Sequence, residues 1–353
     1  MATRNDNRIF QSGRVFMKQD GCAMWRPIEI KLESSELPSS SPKFVAVEAG
    51  HLAAYALDDQ GHLYSWGTQI FGQLGHGEVL EEDSFCSKDP SGGGIETNAD
   101  DEGSDEANFA EDKQEQVLEV EEEGEEKDEE NGEPPPKIVI VEKMPKLVEG
   151  LAGHPIVKIS AGNHFVVAIS TSGAVFSWGR GCFGQLGNGG VADVSTPARV
   201  EALANYIAID IGAGAIKVAA GADHSLVLCG VGVLTFLYAF GDNRLGQLGI
   251  ASHADHVDMP SFVDEFVNVH IAAIGAGTQY SAALTGDGEM FTWGDARYGK
   301  SCRADGRTTY VPWKIDLPNI IPSSSFITQL SVGMHHTLAQ LRISTLNILQ
   351  GGL

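Results

Sequence analysis

One short string recurs along this chain, and that recurrence limits the folds available to it more than any other feature. Ser177-Trp178-Gly179 runs on to Phe183-Gly184-Gln185-Leu186-Gly187, and Ser65-Trp66-Gly67 to Phe71-Gly72-Gln73-Leu74-Gly75. Phe240-Gly241-Asp242-Asn243 leads to Leu245-Gly246-Gln247-Leu248-Gly249, and Thr292-Trp293-Gly294-Asp295 to Tyr298-Gly299-Lys300. Self-similarity at a period of tens of residues signals a stacked array or a ring of small units. The functional question therefore concerns the surface that the array presents.

The fullest unit opens at Pro145-Lys146-Leu147-Val148 and continues through Val157-Lys158-Ile159-Ser160-Ala161-Gly162. Phe165-Val166-Val167-Ala168-Ile169 follows, then a turn at Ser172-Gly173, then Ala174-Val175-Phe176-Ser177-Trp178-Gly179 and the Gly-Gln-Leu-Gly close. Other copies open at Pro27, Pro197, Pro260 and Pro312, with matching glycines at Gly50, Gly221, Gly277 and Gly333. Short apolar runs bounded by Gly and Asp-Gly turns read as strands, and Asp287-Gly288 is a two-residue hairpin signal. Each unit is expected to be an antiparallel sheet of about four strands, and such sheets assemble into propellers. The repeated Trp is read as a plate filling the gap between neighbouring sheets. His224 and His336 share one repeat position, so they read as packing residues with a hydrogen bond to backbone.

The pattern resembles the regulator of chromosome condensation family, seven-bladed propellers whose prototype is the nucleotide exchange factor of the GTPase Ran. The resemblance covers residues 27–75 and 145–340. It implies an all-β fold, a β-propeller of four-stranded antiparallel blades, and a role in binding or exchanging nucleotide on a small GTPase of the Ran or Rab type. About five blades are readable. The expected layout is an N-terminal half-blade at 1–26, blades at 27–77, 137–196, 197–259 and 260–311, and a C-terminal half-blade at 312–353. Ile9-Phe10-Gln11 aligns with Val175-Phe176-Ser177, so the two half-blades are expected to pair and close the ring, which would remove exposed sheet edges. Five against the family's seven leaves a smaller ring and a truncated or spliced form both open.

The formal net charge is −24, yet it is local. Residues 78–133 hold 24 acidic and 3 basic side chains, leaving 24 acidic and 21 basic elsewhere. The acidic stretch (78–136), poor in apolar residues and ending in Pro134-Pro135-Pro136, reads as a disordered insert. It is either a solvating loop or a tether for a basic partner. Direct DNA binding is disfavoured, since phosphate neutralisation needs clustered Lys and Arg. Chromatin-bound members of the family use a basic N-terminal tail, whereas the first 20 residues here carry only Arg4, Arg8, Arg14 and Lys18 as positive charges.

Five cysteines without a Cys-x-x-Cys pair argue against a disulfide framework or a zinc site. The N-terminus lacks the apolar core of a secretory signal, and the longest apolar run, Leu226 to Phe240, is too short to span a bilayer. A soluble protein of the cytoplasm or nucleus is expected. No hydrolase elbow, phosphate loop or metal-spaced histidine motif stands out, so no catalytic residue, metal or cofactor is assigned. What varies among copies is the loop after each Trp-Gly: Thr68 and Gln69, Arg180, Asp242-Asn243-Arg244, and Asp295-Ala296-Arg297. Loops on a rigid scaffold carry binding, so Arg180, Asp242, Asn243, Arg244, Asp295 and Arg297 are the candidate partner-contact residues. Asp242 and Asp295 are candidates for gripping a GTPase. The alternative is a non-catalytic scaffold in signalling, trafficking or ubiquitin pathways.

Overall fold

The computed structural model describes residues 42–77, 140–206, 214–231, 234–303, 305–316 and 325–343, together with the backbone of three short N-terminal strands. The acidic insert, residues 78–136, lies outside the described residues, as does the tail after 343. The described residues fall within one compact unit spanning Met1–Cys86 and Val139–Leu353. This unit is all-β apart from brief 3-10 turns. No helix among the described residues is long and apolar enough to cross a membrane.

The N-terminal strands β1 (Ala2–Thr3), β2 (Ile9–Gln11) and β3 (Ile28–Ile30) make a three-stranded sheet. Four blades of four antiparallel strands follow. The first holds β4 (Phe44–Ala49), β5 (Ala53–Asp58), β6 (Leu63–Gln69) and β7 (Ile140–Leu147). The second holds β8 (Ile156–Ala161), β9 (Phe165–Ser170), β10 (Val175–Gly179) and β11 (Val194–Arg199). The third holds β12 (Gly214–Ala220), β13 (His224–Val231), β14 (Leu234–Asp242) and β15 (His256–Phe262). The fourth holds β16 (Ile271–Ala276), β17 (Tyr280–Thr285), β18 (Met290–Gly294) and β19 (Thr309–Lys314). A hairpin of β20 (Ser325–Val332) and β21 (Thr337–Ile343) ends the described chain.

The strand that opens each proline-initiated repeat joins the preceding sheet: Pro145 lies in β7, Pro197 in β11, Pro260 in β15 and Pro312 in β19. Repeat boundaries counted from proline to proline therefore fall one strand before the sheet boundaries. The N-terminal sheet keeps the repeat's register, with Phe10 opposite Glu29 as Phe176 is opposite Arg199. It and the β20–β21 hairpin are separate sheets among the described residues.

Why the second strand of each blade is so apolar follows from its place. β5, β9 and β17 are buried along their whole length, and both faces of β9 are covered by neighbouring blades. On β9, Val166 and Ala168 pack with Tyr55, Leu57 and Leu74 of the first blade. Phe165, Val167 and Ile169, on the other face, pack with Val227, Cys229 and Phe240 of the third. The period of two divides one strand between two cores. Each fully buried side chain of this kind stabilises by about 1.5–3 kcal/mol.

Polar bonds then fix how the blades meet. The Trp178 indole N–H donates to the Gln73 carbonyl of the preceding blade (3.0 Å), and the Trp293 indole to the Gln247 carbonyl (2.9 Å). Ser225 and Ser281 hydroxyls donate to the Gln185 and Gln247 carbonyls, each at 2.8 Å, and Thr337 to the Lys300 carbonyl at 2.9 Å. Gly75 and Gly249 lie under the indoles, where an added Cβ would sit 2.9 and 2.7 Å from Nε1. His224 extends the clasp. Because Ser281 gives its proton to Gln247, His224 must donate through Nε2 to Ser281 Oγ (2.8 Å). Its partner is thus a side chain of the next blade, and its buried Nδ1 has no hydrogen bond. Burial holds this imidazole down at about 4, against a smaller upward pull from Asp242.

Two outcomes follow. Trp178→Phe is expected to cost about 1 kcal/mol, the worth of one hydrogen bond, since Tyr55 still donates to Gln73 O and Phe240 already fills the equivalent place in the third blade. Trp178→Ala should cost about 3–5 kcal/mol; urea unfolding of both variants separates the two terms. His224 binds a proton less readily folded than unfolded, so its contribution is complete above about pH 6.5 and lost as the pH falls towards 4, by up to about 3 kcal/mol. Unfolding measured across that window should show a slope that His224→Gln reduces.

Candidate interaction surface on the loop face

Strand direction places two sets of loops at one end of the blades: those joining first to second strands and those following each Trp-Gly. Arg180 N–H donates to His164 O, Asp242 N–H to Asp223 O, and Asp295 N–H to Gln279 O, all at 2.9 Å. All six candidate contact residues therefore share this face. Their roles differ.

Thr68 and Gln69 are buried ends of β6. Asn243 is buried too; its amide donates to the carbonyls of Ser252 and Ala254 (2.8 and 3.2 Å), and its Oδ1 accepts from Leu248 N–H (3.2 Å). It shapes the loop and offers nothing to a partner. Asp242 and Asp295, expected as exposed carboxylates, are 2% and 1% exposed. Asp242 accepts Arg244 Nε and Nη2 in a fork at 2.8 and 3.0 Å. Asp295 accepts Arg297 Nε at 3.0 Å and the buried Lys300 ammonium at 2.6 Å. Unpaired burial would be costly, and the pairing turns both loops inside out: the carboxylate lies beneath and the guanidinium faces solvent. Arg244 and Arg297 side chains are 50% and 61% exposed.

Arg180 is held differently. Its guanidinium lies 5.2 Å from the Phe71 ring centroid and 5.5 Å from that of Phe183, and Arg244 lies 4.6 Å from Phe183. Asp223 approaches Arg180 Nη1 at 3.7 Å, and burial raises its carboxyl against the pull of that arginine. Phe71 also packs at a tilt against His164, which meets His51 edge-on. Burial first, then the charges of His51 and Arg180, hold His164 down at about 4. Phe71, Phe183 and Asp223 were not among the sequence candidates. The two phenylalanines precede Gly-Gln-Leu-Gly and read as scaffold; only folding shows them stacking with arginines.

The fourth loop departs from the others. Elsewhere the buried glutamine accepts loop N–H groups through Oε1: Ile70 and Phe71 at Gln73, Phe183 at Gln185, Leu245 at Gln247. Lys300 has no acceptor to offer and turns to Asp295. Tyr298 adopts a left-handed conformation (φ 60°) and is 92% exposed. Among the described residues, no group of three His, Cys, Asp or Glu could hold a metal ion.

Burial pushes the Asp295 carboxyl up, but bonds from Arg297 and Lys300 outweigh it and hold the group at about 2. A depressed carboxylate stabilises above its unfolded value and loses that contribution as the pH falls through its folded one. Asp295→Asn should lower stability by about 3–5 kcal/mol near neutrality, because Lys300 is left as an unpaired buried charge. The gap to the wild type should narrow by about 2 kcal/mol between about pH 4 and 2, which acid unfolding of both forms will show.

Comparison with known proteins fits these features. The model of the regulator of chromosome condensation (RCC1) repeat matches residues 172–228 and 236–284, and a second model of that repeat matches 156–185 and 271–300. The human E3 ubiquitin-protein ligase HERC2 is 28% identical over 84% of this chain, which spans 6% of that protein. The ultraviolet-B receptor UVR8 of Arabidopsis thaliana is 32% identical over 55% of the chain and 41% of its own length. The chain thus spans well under two thirds of these relatives. Prp20p of Saccharomyces cerevisiae superposes with a TM-score of 0.62 at 18% identity, covering 95% of this chain and 64% of Prp20p. Human WBSCR16 gives 0.61 at 18% identity, covering 94% and 65%. Repeat sequence, blade register and shared fold agree: the chain carries RCC1 repeats within residues 156–300 and has an all-β propeller fold of four-stranded blades.

Proposed function

We propose that the loop face is a protein-docking surface for a small GTPase, acting as a guanine-nucleotide exchange factor or as a binder. The observation that carries this reading is the convergence of Arg180, Arg244 and Arg297 from three successive blades on one face, each anchored against a buried or half-buried carboxylate. Such an exchange factor needs no nucleophile. It stabilises the nucleotide-free GTPase relative to the bound one, and only that difference drives release. The contact groups in this reading are the guanidiniums and Tyr298, with Asp242 and Asp295 as counterions beneath them. Prp20p, of the same fold, binds Gsp1p and histones. The acidic insert supplies a separate tether for a basic partner.

A second reading is a non-catalytic scaffold, favoured by the likeness to HERC2 over 84% of this chain. Release of fluorescent GDP from Ran-, Rab- and Rho-class GTPases, with the chain in catalytic amounts, separates the two. Acceleration for one class, reduced at least tenfold by the double substitution Arg244→Ala and Arg297→Ala, is the expected result. No acceleration from the folded chain would leave the scaffold.

A further inference from the structure

We propose that the row Phe71–Arg180–Phe183–Arg244 is a docking subsite for a carboxylate-rich peptide segment of a partner protein. The inference rests on the loop-face reading above and adds the chemistry of what docks there.

Three features single out this row. First, two guanidiniums from adjacent blades share one phenyl ring, at 5.5 and 4.6 Å from its centroid, so two cations lie close together, with Asp223 in the field of both. Second, the Arg180 guanidinium makes no hydrogen bond within the described residues. The carboxylate at ion-pair distance, Asp223 Oδ1, is at 3.7 Å, and that buried oxygen has no hydrogen-bond partner of its own; Asp193 lies further off in the same field. A guanidinium stacked between two rings, 28% exposed and with its N–H donors uncommitted, is arranged to receive an acceptor. Third, Arg244 commits Nε and Nη2 to Asp242 and retains Nη1. Tyr310 holds its carbonyl at 2.9 Å, so the side chain is fixed at both ends. Groups already fixed in place lose little freedom on binding.

The chemistry selects the ligand. Forked guanidinium donors match the two oxygens of a carboxylate. A nucleic acid would carry a continuous line of phosphates of fixed spacing past the Asp223 and Asp242 carboxylates, and local like-charge repulsion opposes that. Discrete carboxylates on a peptide can meet Arg180 and Arg244 individually.

The test is fluorescence anisotropy of the full chain with fluorescein-labelled octaglutamate, with octalysine and single-stranded oligothymidylate as competing probes. Octaglutamate should bind, and rising salt should weaken it. Arg244→Ala should weaken binding about tenfold or more, as expected for one charge-assisted hydrogen bond. Arg180→Ala with Arg244→Ala should abolish it, and Lys314→Gln, on the outer strand β19, should leave it unchanged. Arg244→Lys keeps the charge without the fork and should bind at an intermediate level. Phe183→Leu should weaken binding while leaving both charges in place. Unfolding curves of each variant report that the fold persists. The proposal is overturned if octaglutamate does not bind, if the folded double variant binds it as well as wild type, or if oligothymidylate binds in its place. Nucleotide release is a separate readout: a chain that binds octaglutamate without accelerating release keeps this subsite and loses the exchange reading.

Discussion

Everything on the loop face is positioned by one main-chain carbonyl per blade, the one at the Gln position of Gly-Gln-Leu-Gly. At four successive interfaces that oxygen accepts a bond from the following blade: from Trp178, Ser225, Ser281 with Trp293, and Thr337. The donor changes, and the acceptor atom does not. Because a main-chain carbonyl survives any substitution of its side chain, the fourth blade can carry Lys300 in place of glutamine and still be clasped. The loops that hold Arg180, Arg244 and Arg297 are therefore tied to both the blade below and the blade beside them.

This arrangement separates two tasks within a few residues. The Gly-Gln-Leu-Gly segment turns inward, its glutamine fully buried and bonded to loop N–H groups. The three residues after Trp-Gly turn outward, under a much weaker constraint. Asp at the first of these and Arg at the third satisfy it in the third and fourth blades, with the acid buried and the base in solvent. In the second blade Arg180 takes the first place itself and finds its carboxylate on the neighbouring blade, at Asp223. Different sequences thus place a guanidinium at about the same height on consecutive blades.

The fold was legible because its signals are local and repeated. Strand runs, hairpin turns and the Trp plate each announce themselves several times, and four blades follow. The candidate contact loops were legible as places, while the roles of their residues were not. Asp242 and Asp295 read as solvent carboxylates because acids in loops usually are. Their burial depends on Arg244 and Arg297 two residues on, and on Lys300, which read as an imperfect copy of the glutamine. The shared Asp-x-Arg spacing was visible in the chain, but its meaning depends on the loop curling back, which a period of two or of a whole repeat does not encode. Phe71 and Phe183 were hidden for the opposite reason, since recurrence itself marked them as scaffold.

The fourth loop shows what loosening one scaffold bond does to a surface. Replacing the glutamine acceptor with an ammonium reverses the polarity of the loop interior: where an oxygen gathered N–H groups, a cation now gathers a carboxylate. Asp295 gains Lys300 as a second cationic partner beside Arg297, and Tyr298 adopts a left-handed conformation with its ring in solvent. For a non-glycine residue that conformation is disfavoured, and an aromatic ring held in water gains nothing from burial within its own chain. Tyr and Arg are also the side chains that most often anchor protein interfaces. Arg297 reaches this face by the same Asp-x-Arg pairing as Arg244, and the fourth blade adds Tyr298 beside it, so the divergence of this blade from its sisters adds to the surface while leaving the clasp beneath it intact.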